Sequence, residues 1–109
     1  MEIFYQSCST GIVLSLAGSF DFASHASLHE VLRSAVQDHH KRIILDLSQV
    51  TSMDSPSIGM LLVRFHEFKK DGVDLRLTHF HEGLAEKDSA VILSQTIPTF
   101  SSNEKALAS

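Results

Sequence analysis

The sequence predicts an α/β domain built on a mixed sheet of four to five strands with about four helices. Three observations predict this class: two short β-rich runs at the start, an unbroken apolar run of strand length further on, and helical patterns that alternate with extended ones. Strands that alternate with helices form parallel pairs through right-handed crossovers. We therefore expect a sheet that combines an opening hairpin with parallel strands.

The first half of the chain supplies the hairpin and the first crossover. "EIFYQS" and "GIVLSLAG" are predicted to pair as a hairpin, and "GSFD" ends the second strand. "RIILDLSQV" is apolar without alternation, as expected of a strand that is covered on both faces. Between them, a first helix is predicted from apolar residues at helical spacing, namely Phe22, Leu28, Val31, Leu32, Ala35 and Val36.

The second half repeats the alternation. A helix is predicted from Pro56 to a C-terminal glycine, Gly72, with a buried stripe of Ile58, Leu61, Leu62 and Phe65. "VDLRLTHF" is predicted to be a strand, "EGLAEKDSAVILSQ" a helix and "IPTF" a short extended segment. A capping box from Ser101 to Glu104 predicts a short last helix.

Composition limits the class of function. With 109 residues, 43% hydrophobic and 20% charged, the chain is expected to be one globular domain. A net charge of −4 without a long basic run argues against nucleic acid or an anionic membrane as a partner. No apolar run approaches the roughly 20 residues that span a bilayer, and the start lacks a secretion signal. Cys8 has no internal disulfide partner and is predicted to be a packing residue in a cytoplasmic protein.

The segment "TSMDSPSIGM" places an acid, a serine and a proline before a helix. With Pro56 at the first helical position, Ser55 is predicted to be the N-cap, which is worth about 1 kcal/mol. A phosphate on Ser55 would be favoured by the helix dipole and would add about −1.5 to −2 charges beside Asp54. From the residues alone, a plain helix cap and a regulatory phosphorylation site both fit this pattern.

The wider string "IILDLSQVTSMDSPSIGMLL" resembles the core signature of the STAS domain family, of the anti-sigma factor antagonist type. Asp54 and Ser55 match the Asp-Ser pair of that signature, and Gly59 matches its second glycine. "GSFD" resembles the family's "GELD", which aligns Asp21, and "IPTFSSNEKALAS" resembles its closing segment. The resemblance therefore predicts a single STAS-like domain over residues 1–109.

The resemblance implies an anti-sigma factor antagonist in a bacterial partner-switching pathway. The unphosphorylated domain would bind an anti-sigma factor that is also a serine kinase, and phosphorylation at Ser55 would release it. A PP2C-type serine phosphatase would reverse the modification. The domain would be a ligand of the anti-sigma factor and a substrate of the kinase and phosphatase. It would need no cofactor and would not be an enzyme. The alternative is a STAS subunit of a lipid or anion transport complex, and a weak homodimer is also left open.

The match has two departures, which bear on the contact surface. Pro56 replaces a second serine, and Ser57 replaces the first glycine and is a rival phosphorylation site. Gly59 is expected to allow close packing of its helix against the sheet or the "GSFD" loop. Met60 and Val63 fall outside the predicted buried stripe. The predicted partner-binding residues are Asp21, Asp54, Ser57, Met60 and Val63.

The sequence does not favour metal binding or catalysis. The seven histidines include two close pairs, His25 with His29 and His79 with His81. Neither pair has a nearby cysteine or carboxylate that completes a recognisable ligand set, so solvated histidines and no metal are expected. The nucleophile pattern G-x-S-x-G is absent, and no catalytic residue is predicted.

Overall fold

The computed structural model describes residues 1–108, which form a five-stranded mixed sheet, four α-helices and two short 3-10 helices. The strands are β1 (Glu2–Cys8), β2 (Gly11–Phe20), β3 (Arg42–Met53), β4 (Asp74–Thr78) and β5 (Thr99–Phe100). The α-helices are α1 (His25–Gln37), α2 (Ser55–Lys70), α3 (Lys87–Thr96) and α4 (Asn103–Ala108). The 3-10 helices are Phe22–Ser24 and Glu82–Leu84. The predicted class and the order of elements are confirmed.

The sheet has the strand order β1-β2-β3-β4-β5. Strand β1 is antiparallel to β2, as the predicted hairpin requires, and the remaining neighbours are parallel. Leu45 of β3 pairs with Leu14 on one side and with Leu77 on the other. Because side chains alternate between the faces of a strand, these three leucines lie on the same face of the sheet.

That face holds the main apolar core. The run from Ile43 to Leu47 of β3 is buried throughout, which confirms the prediction of a strand covered on both faces. Helices α1, α2 and α3 close the core with Leu28, Leu32, Ala35, Ile58, Leu61, Phe68 and Leu93. Helix α2 ends before Gly72, whose φ of +75° is the left-handed conformation that the predicted C-terminal glycine provides. In residues 1–108, no helix is both long and apolar enough to cross a membrane.

Helix α4 covers the opposite face and is attached mainly through polar contacts. At its C-terminal end, the Arg42 guanidinium donates to the carbonyl of Leu107 at 2.6 Å. At its start, the side chain of Asn103 donates to Asp46 at 2.9 Å and accepts from the hydroxyl of Thr78 at 2.6 Å. The sheet thus has an apolar layer on one face and a small polar-bonded helix on the other.

The predicted helix "EGLAEKDSAVILSQ" is divided into the 3-10 helix Glu82–Leu84 and α3, which begins only at Lys87. Three further local predictions are wrong. Phe22 is not part of the core of α1, because that helix begins only at His25 and the Phe22 side chain is 72% exposed. Cys8 is exposed at the end of the edge strand β1 and is not a packing residue. The last helix is capped one residue later than predicted, because the hydroxyl of Ser102 accepts from the backbone N–H of Lys105.

Candidate functional site at the start of helix α2

Asp54 is the N-cap of α2. Its Oδ1 atom accepts a hydrogen bond from the backbone N–H of Ser57 at 2.8 Å, and its Oδ2 atom accepts one from the N–H of Phe22 at 3.1 Å. The prediction that Ser55 is the cap is therefore wrong, and Ser55 and Pro56 occupy the first two helical positions. Each of the two carboxylate oxygens accepts one of these hydrogen bonds, so the single side chain of Asp54 connects the helix to the loop after β2.

The surroundings of Asp54 keep its side chain ionised. The pKa of Asp54 is lowered, first by hydrogen bonding from the side chain of Ser57 and then by the backbone N–H groups of Ser57 and Phe22. The nearby His25 also lowers the pKa, while partial burial acts in the opposite direction. The negative charge beside Ser55 is therefore a fixed feature of the site near neutral pH.

Ser57 is inside the protein. Its side chain is fully buried, and its hydroxyl oxygen lies 2.8 Å from Nε2 of His25. The His25 ring in turn packs against Phe20 and Phe22, with ring centroids 5.8 Å and 5.0 Å apart. The predictions that Ser57 is a partner-contact residue and a rival phosphorylation site are wrong for the folded domain, because neither a partner nor a kinase can reach this hydroxyl.

The prediction of solvated histidines also fails at His25, whose ring is partly buried and bonded to Ser57. Sequence patterns missed this role because 32 positions separate the two residues. In residues 1–108, no group of three or more His, Cys, Asp or Glu side chains is arranged to hold a metal ion.

Ser55 is exposed and faces the beginning of α3. Its hydroxyl oxygen lies 3.4 Å from that of Ser89, in the first turn of α3. Glu86 caps α3 by accepting from the N–H groups of Asp88 and Ser89, and the Ser89 hydroxyl also donates to Glu86 at 3.2 Å. These hydrogen bonds lower the pKa of Glu86. Ser55 therefore lies between the N-terminal ends of two helices, each capped by a carboxylate, and sequence reasoning did not identify Ser89 or Glu86.

The loop that follows β2 lies directly beside this site. The backbone N–H of Asp54 donates to the carbonyl of Phe20 at 3.2 Å, in addition to the bond from Phe22 to Asp54. Asp21 is exposed, and its carboxylate accepts a hydrogen bond from the hydroxyl of Ser24 at 3.1 Å. The structure thus brings the loop containing Asp21 against the start of α2.

The remaining predicted residues lie along α2. Val63 is 54% exposed, whereas Met60 is partly buried and packs against the core. Gly59 is exposed, and a Cβ added there would meet no atom within 4 Å. The prediction that Gly59 permits close packing inside the domain is therefore wrong. At 100° per residue, Gly59 lies on nearly the same side of α2 as Ser55, so the surface one turn beyond Ser55 is bare.

Large exposed apolar side chains occur in two parts of the described chain. Within residues 1–108 there are five of them, and three belong to the elements that meet at Ser55: Phe22 in the loop after β2, Val63 on α2 and Ile92 on α3. The other two, Phe4 and Tyr5, lie on β1. The three side chains of the first group, together with the exposed Ser55 and Gly59, are called the Ser55 surface.

Solved structures with this fold include three similar proteins. A protein from Thermotoga maritima has a TM-score of 0.82 at 18% identity, over 96% of this chain and 91% of that one. An anti-sigma factor antagonist from Mycobacterium paratuberculosis has a TM-score of 0.80 at 18% identity, over 97% and 90%. The anti-sigma factor antagonist SpoIIAA in its unphosphorylated form has a TM-score of 0.73 at 16% identity, over 95% and 92%, and SpoIIAA has also been solved in the phosphorylated form. The STAS domain profile matches residues 5–106, and the chain belongs to the STAS domain family.

Proposed function

We propose that this domain is an anti-sigma factor antagonist of a bacterial partner-switching pathway and acts in the cytoplasm. The unphosphorylated domain, residues 1–109, binds an anti-sigma factor that is also a serine kinase. Phosphorylation of Ser55 ends the complex, and a PP2C-type serine phosphatase restores it. The domain is a ligand and a substrate of these partners and catalyses no reaction itself. The similarity to anti-sigma factor antagonists, one of them solved in both phosphorylation states, supports this kind of function.

The observation that carries the proposal is that Ser55 is exposed and is not needed for the helix cap. Asp54 makes the capping hydrogen bond, and the Ser55 hydroxyl oxygen lies 3.4 Å from that of Ser89. A kinase can therefore modify Ser55 without breaking the hydrogen bonds that cap α2. The position in the first turn also places an added phosphate at the positive end of the helix dipole.

A phosphate at this position would change the Ser55 surface strongly. The surface already has the Asp54 carboxylate next to Ser55, and the Glu86 carboxylate lies just beyond Ser89. Phosphorylation would add about −1.5 to −2 charges between them. A partner that covers Phe22, Val63 and Ile92 would have to desolvate this charge, which disfavours binding.

Four of the five residues predicted to contact a partner remain in the proposal. Asp54 precedes Ser55 at the cap position, Asp21 is exposed in the loop hydrogen-bonded to Asp54, and Val63 is exposed further along α2. Met60 is partly buried, so only the exposed part of its side chain would contact the partner. Asp21→Asn is expected to change the rate of Ser55 phosphorylation more than the affinity for the partner, since Asp21 belongs to the loop that is hydrogen-bonded to Asp54 and is not one of the exposed apolar residues.

The proposal is tested by identifying the partner and measuring how a negative charge at position 55 changes its affinity. Tagged Ser55→Ala protein is used to co-purify the partner from cells, and phosphosite mapping is done on the wild-type protein. Calorimetry with the purified partner is expected to give equal affinities for wild type and Ser55→Ala, and an affinity roughly ten-fold or more lower for Ser55→Asp. Ser94→Asp, on the exposed side of α3, is the matched control and should bind normally. Equal binding of Ser55→Ala and Ser55→Asp would refute the switch.

A further inference from the structure

Strand β1 has an open outer edge. Within residues 1–108 it pairs only with β2, so the backbone groups on its other side are free to bond a further strand. Six of its seven residues are exposed, and Ile3 is the exception. The side chains of Phe4 and Tyr5 are 57% and 72% exposed on opposite faces of the strand.

This edge lacks the features that usually prevent pairing between molecules. Natural edge strands are protected by lysines, prolines, bulges or short length. The sequence "EIFYQSC" contains no Lys, Arg or Pro. The register with β2 runs without a bulge from the pair Glu2–Ala17 to the pair Cys8–Gly11. Strand β1 is therefore a regular seven-residue template with two aromatic side chains.

We propose that a second copy of this chain pairs with β1 in the antiparallel direction and extends the sheet from five to ten strands. A two-fold axis perpendicular to the sheet relates the strands, so a residue on one face must meet a residue on the same face. One residue must then lie directly opposite its own copy, with the axis midway between the two. Only when this residue is Tyr5 are all seven residues of both copies paired. An axis at Phe4 or at Gln6 would leave residues at the ends of both strands unpaired.

The charges of β1 favour a second copy as the occupant. Glu2 is the only charged residue of the strand, and in the Tyr5 register it meets Cys8 of the other copy instead of another carboxylate. Phe4 of each copy meets Gln6 of the other, so the two phenylalanines are diagonal neighbours on one face. On the other face the two Tyr5 side chains meet at the axis. The strand is thus complementary to itself.

The interface is small, and we expect the dimer to be weak. Seven paired residues span only about 24 Å, and a single strand pair buries less surface than stable complexes do. The pairing uses no residue of the Ser55 surface. The dimer proposal therefore does not depend on the proposed switch at Ser55, and evidence against either proposal would not affect the other.

Sedimentation of the purified full chain tests the dimer, with reducing agent present and protein from about 5 μM to about 1 mM. Wild type is expected to pass from monomer to dimer over this range. Tyr5→Lys places two ammonium groups opposite each other and should raise the dissociation constant roughly ten-fold or more. Because Tyr5 is exposed, this variant should keep the wild-type melting temperature. Phe22→Lys, an equally exposed aromatic site outside β1, is the matched control and should dimerise normally. A wild type that stays monomeric, or that dimerises as well with Tyr5→Lys, would overturn the proposal.

Disulfide trapping tests the register. Directly opposite side chains in an antiparallel pair have Cβ atoms about 4.5–5.5 Å apart, within reach of a disulfide after slight adjustment. Glu2→Cys, which leaves the native Cys8 in place, should give covalent dimers on mild oxidation, with position 2 linked to position 8 by mass spectrometry. Glu2→Cys combined with Cys8→Ser should form far fewer. Links that join position 2 to position 2, or position 8 to position 8, in preference to the mixed link would rule out the Tyr5 register.

Discussion

The imidazole Nε2 of His25 lies 2.8 Å from the hydroxyl oxygen of Ser57 and joins the first residue of α1 to the first turn of α2. Together with the bond from the Phe22 N–H to the Asp54 carboxylate, this contact fixes the loop after β2 against the residues around Ser55. These two contacts thus hold the loop after β2 and the start of α2 together.

Loss of the His25–Ser57 contact should lower the free energy of unfolding. Ser57→Ala removes a buried hydroxyl and its hydrogen bonds, for an expected loss of about 1 kcal/mol. A double-mutant cycle with His25→Ala, measured by urea denaturation, should give a coupling of roughly 0.5–1.5 kcal/mol. Ser34→Ala, at an exposed site on α1, serves as the control. Strictly additive losses would mean that the two side chains do not stabilise each other.

Asp54 should make stability depend on pH in the acidic range. Asp54→Ala removes the cap of α2 and the acceptor for Phe22, and is expected to cost about 1–2 kcal/mol near neutral pH. The pKa of Asp54 is lower in the folded state than the roughly 3.9 of an unperturbed aspartate, so its contribution is present above that value. The contribution is lost as pH falls through the lowered pKa. Urea denaturation at a series of pH values should show the difference between wild type and Asp54→Asn shrinking on acidification; a difference that grows would contradict this sign.

Gly59 should show opposite effects on stability and binding. Because nothing lies near an added Cβ, Gly59→Ala should raise the free energy of unfolding by about 1 kcal/mol. Gly59→Leu should also fold, but its bulk would stand beside Ser55 and lower the affinity for the partner. Gly72→Ala is the contrasting control, since a φ of +75° makes the substitution destabilising. A loss of stability in Gly59→Ala would show that the glycine serves the fold.

Substitutions at Val63 and Met60 should have different effects, because Val63 is exposed and Met60 is partly buried. Val63→Ala is expected to leave stability within about 0.5 kcal/mol of wild type while lowering the affinity for the partner by about 1–2 kcal/mol. Met60 packs partly against the core, so Met60→Ala should lower stability, though by less than the roughly 2–5 kcal/mol typical of a fully buried methionine. Thermal denaturation and calorimetry on both variants measure the two effects. Normal affinity of Val63→Ala would remove Val63 from the proposed contact surface.

Much of the fold could be predicted because its signals are local. The alternating hairpin strands, the unbroken apolar run of β3 and the glycine after α2 each act within a few residues. The N-cap of α2 was misassigned for a physical reason. Both Asp54 and Ser55 are favoured caps, and proline is tolerated at either of the first two helical positions, so local preferences did not decide between them.

The site was less predictable because its contacts join residues distant in the sequence. Neither the bond from His25 to Ser57 nor the proximity of Ser55 to Ser89 leaves a periodic pattern. Ser57 looked available because it neighbours an exposed serine, yet its helical position turns it inward. Phe22 follows the apolar spacing of α1, but it precedes the first turn of that helix and points to solvent.

Helix α4 has only one buried residue, Ala106, so little hydrophobic free energy holds it in place. Its bonds to Arg42, Asp46 and Thr78 can break and be replaced by bonds to water while the apolar layer on the other face stays intact. The amide protons of α4 should therefore exchange with solvent through a local opening that costs less than global unfolding. We therefore expect two energetic units, a cooperative one made by the sheet with α1 to α3 and a C-terminal segment that unfolds at a lower free energy.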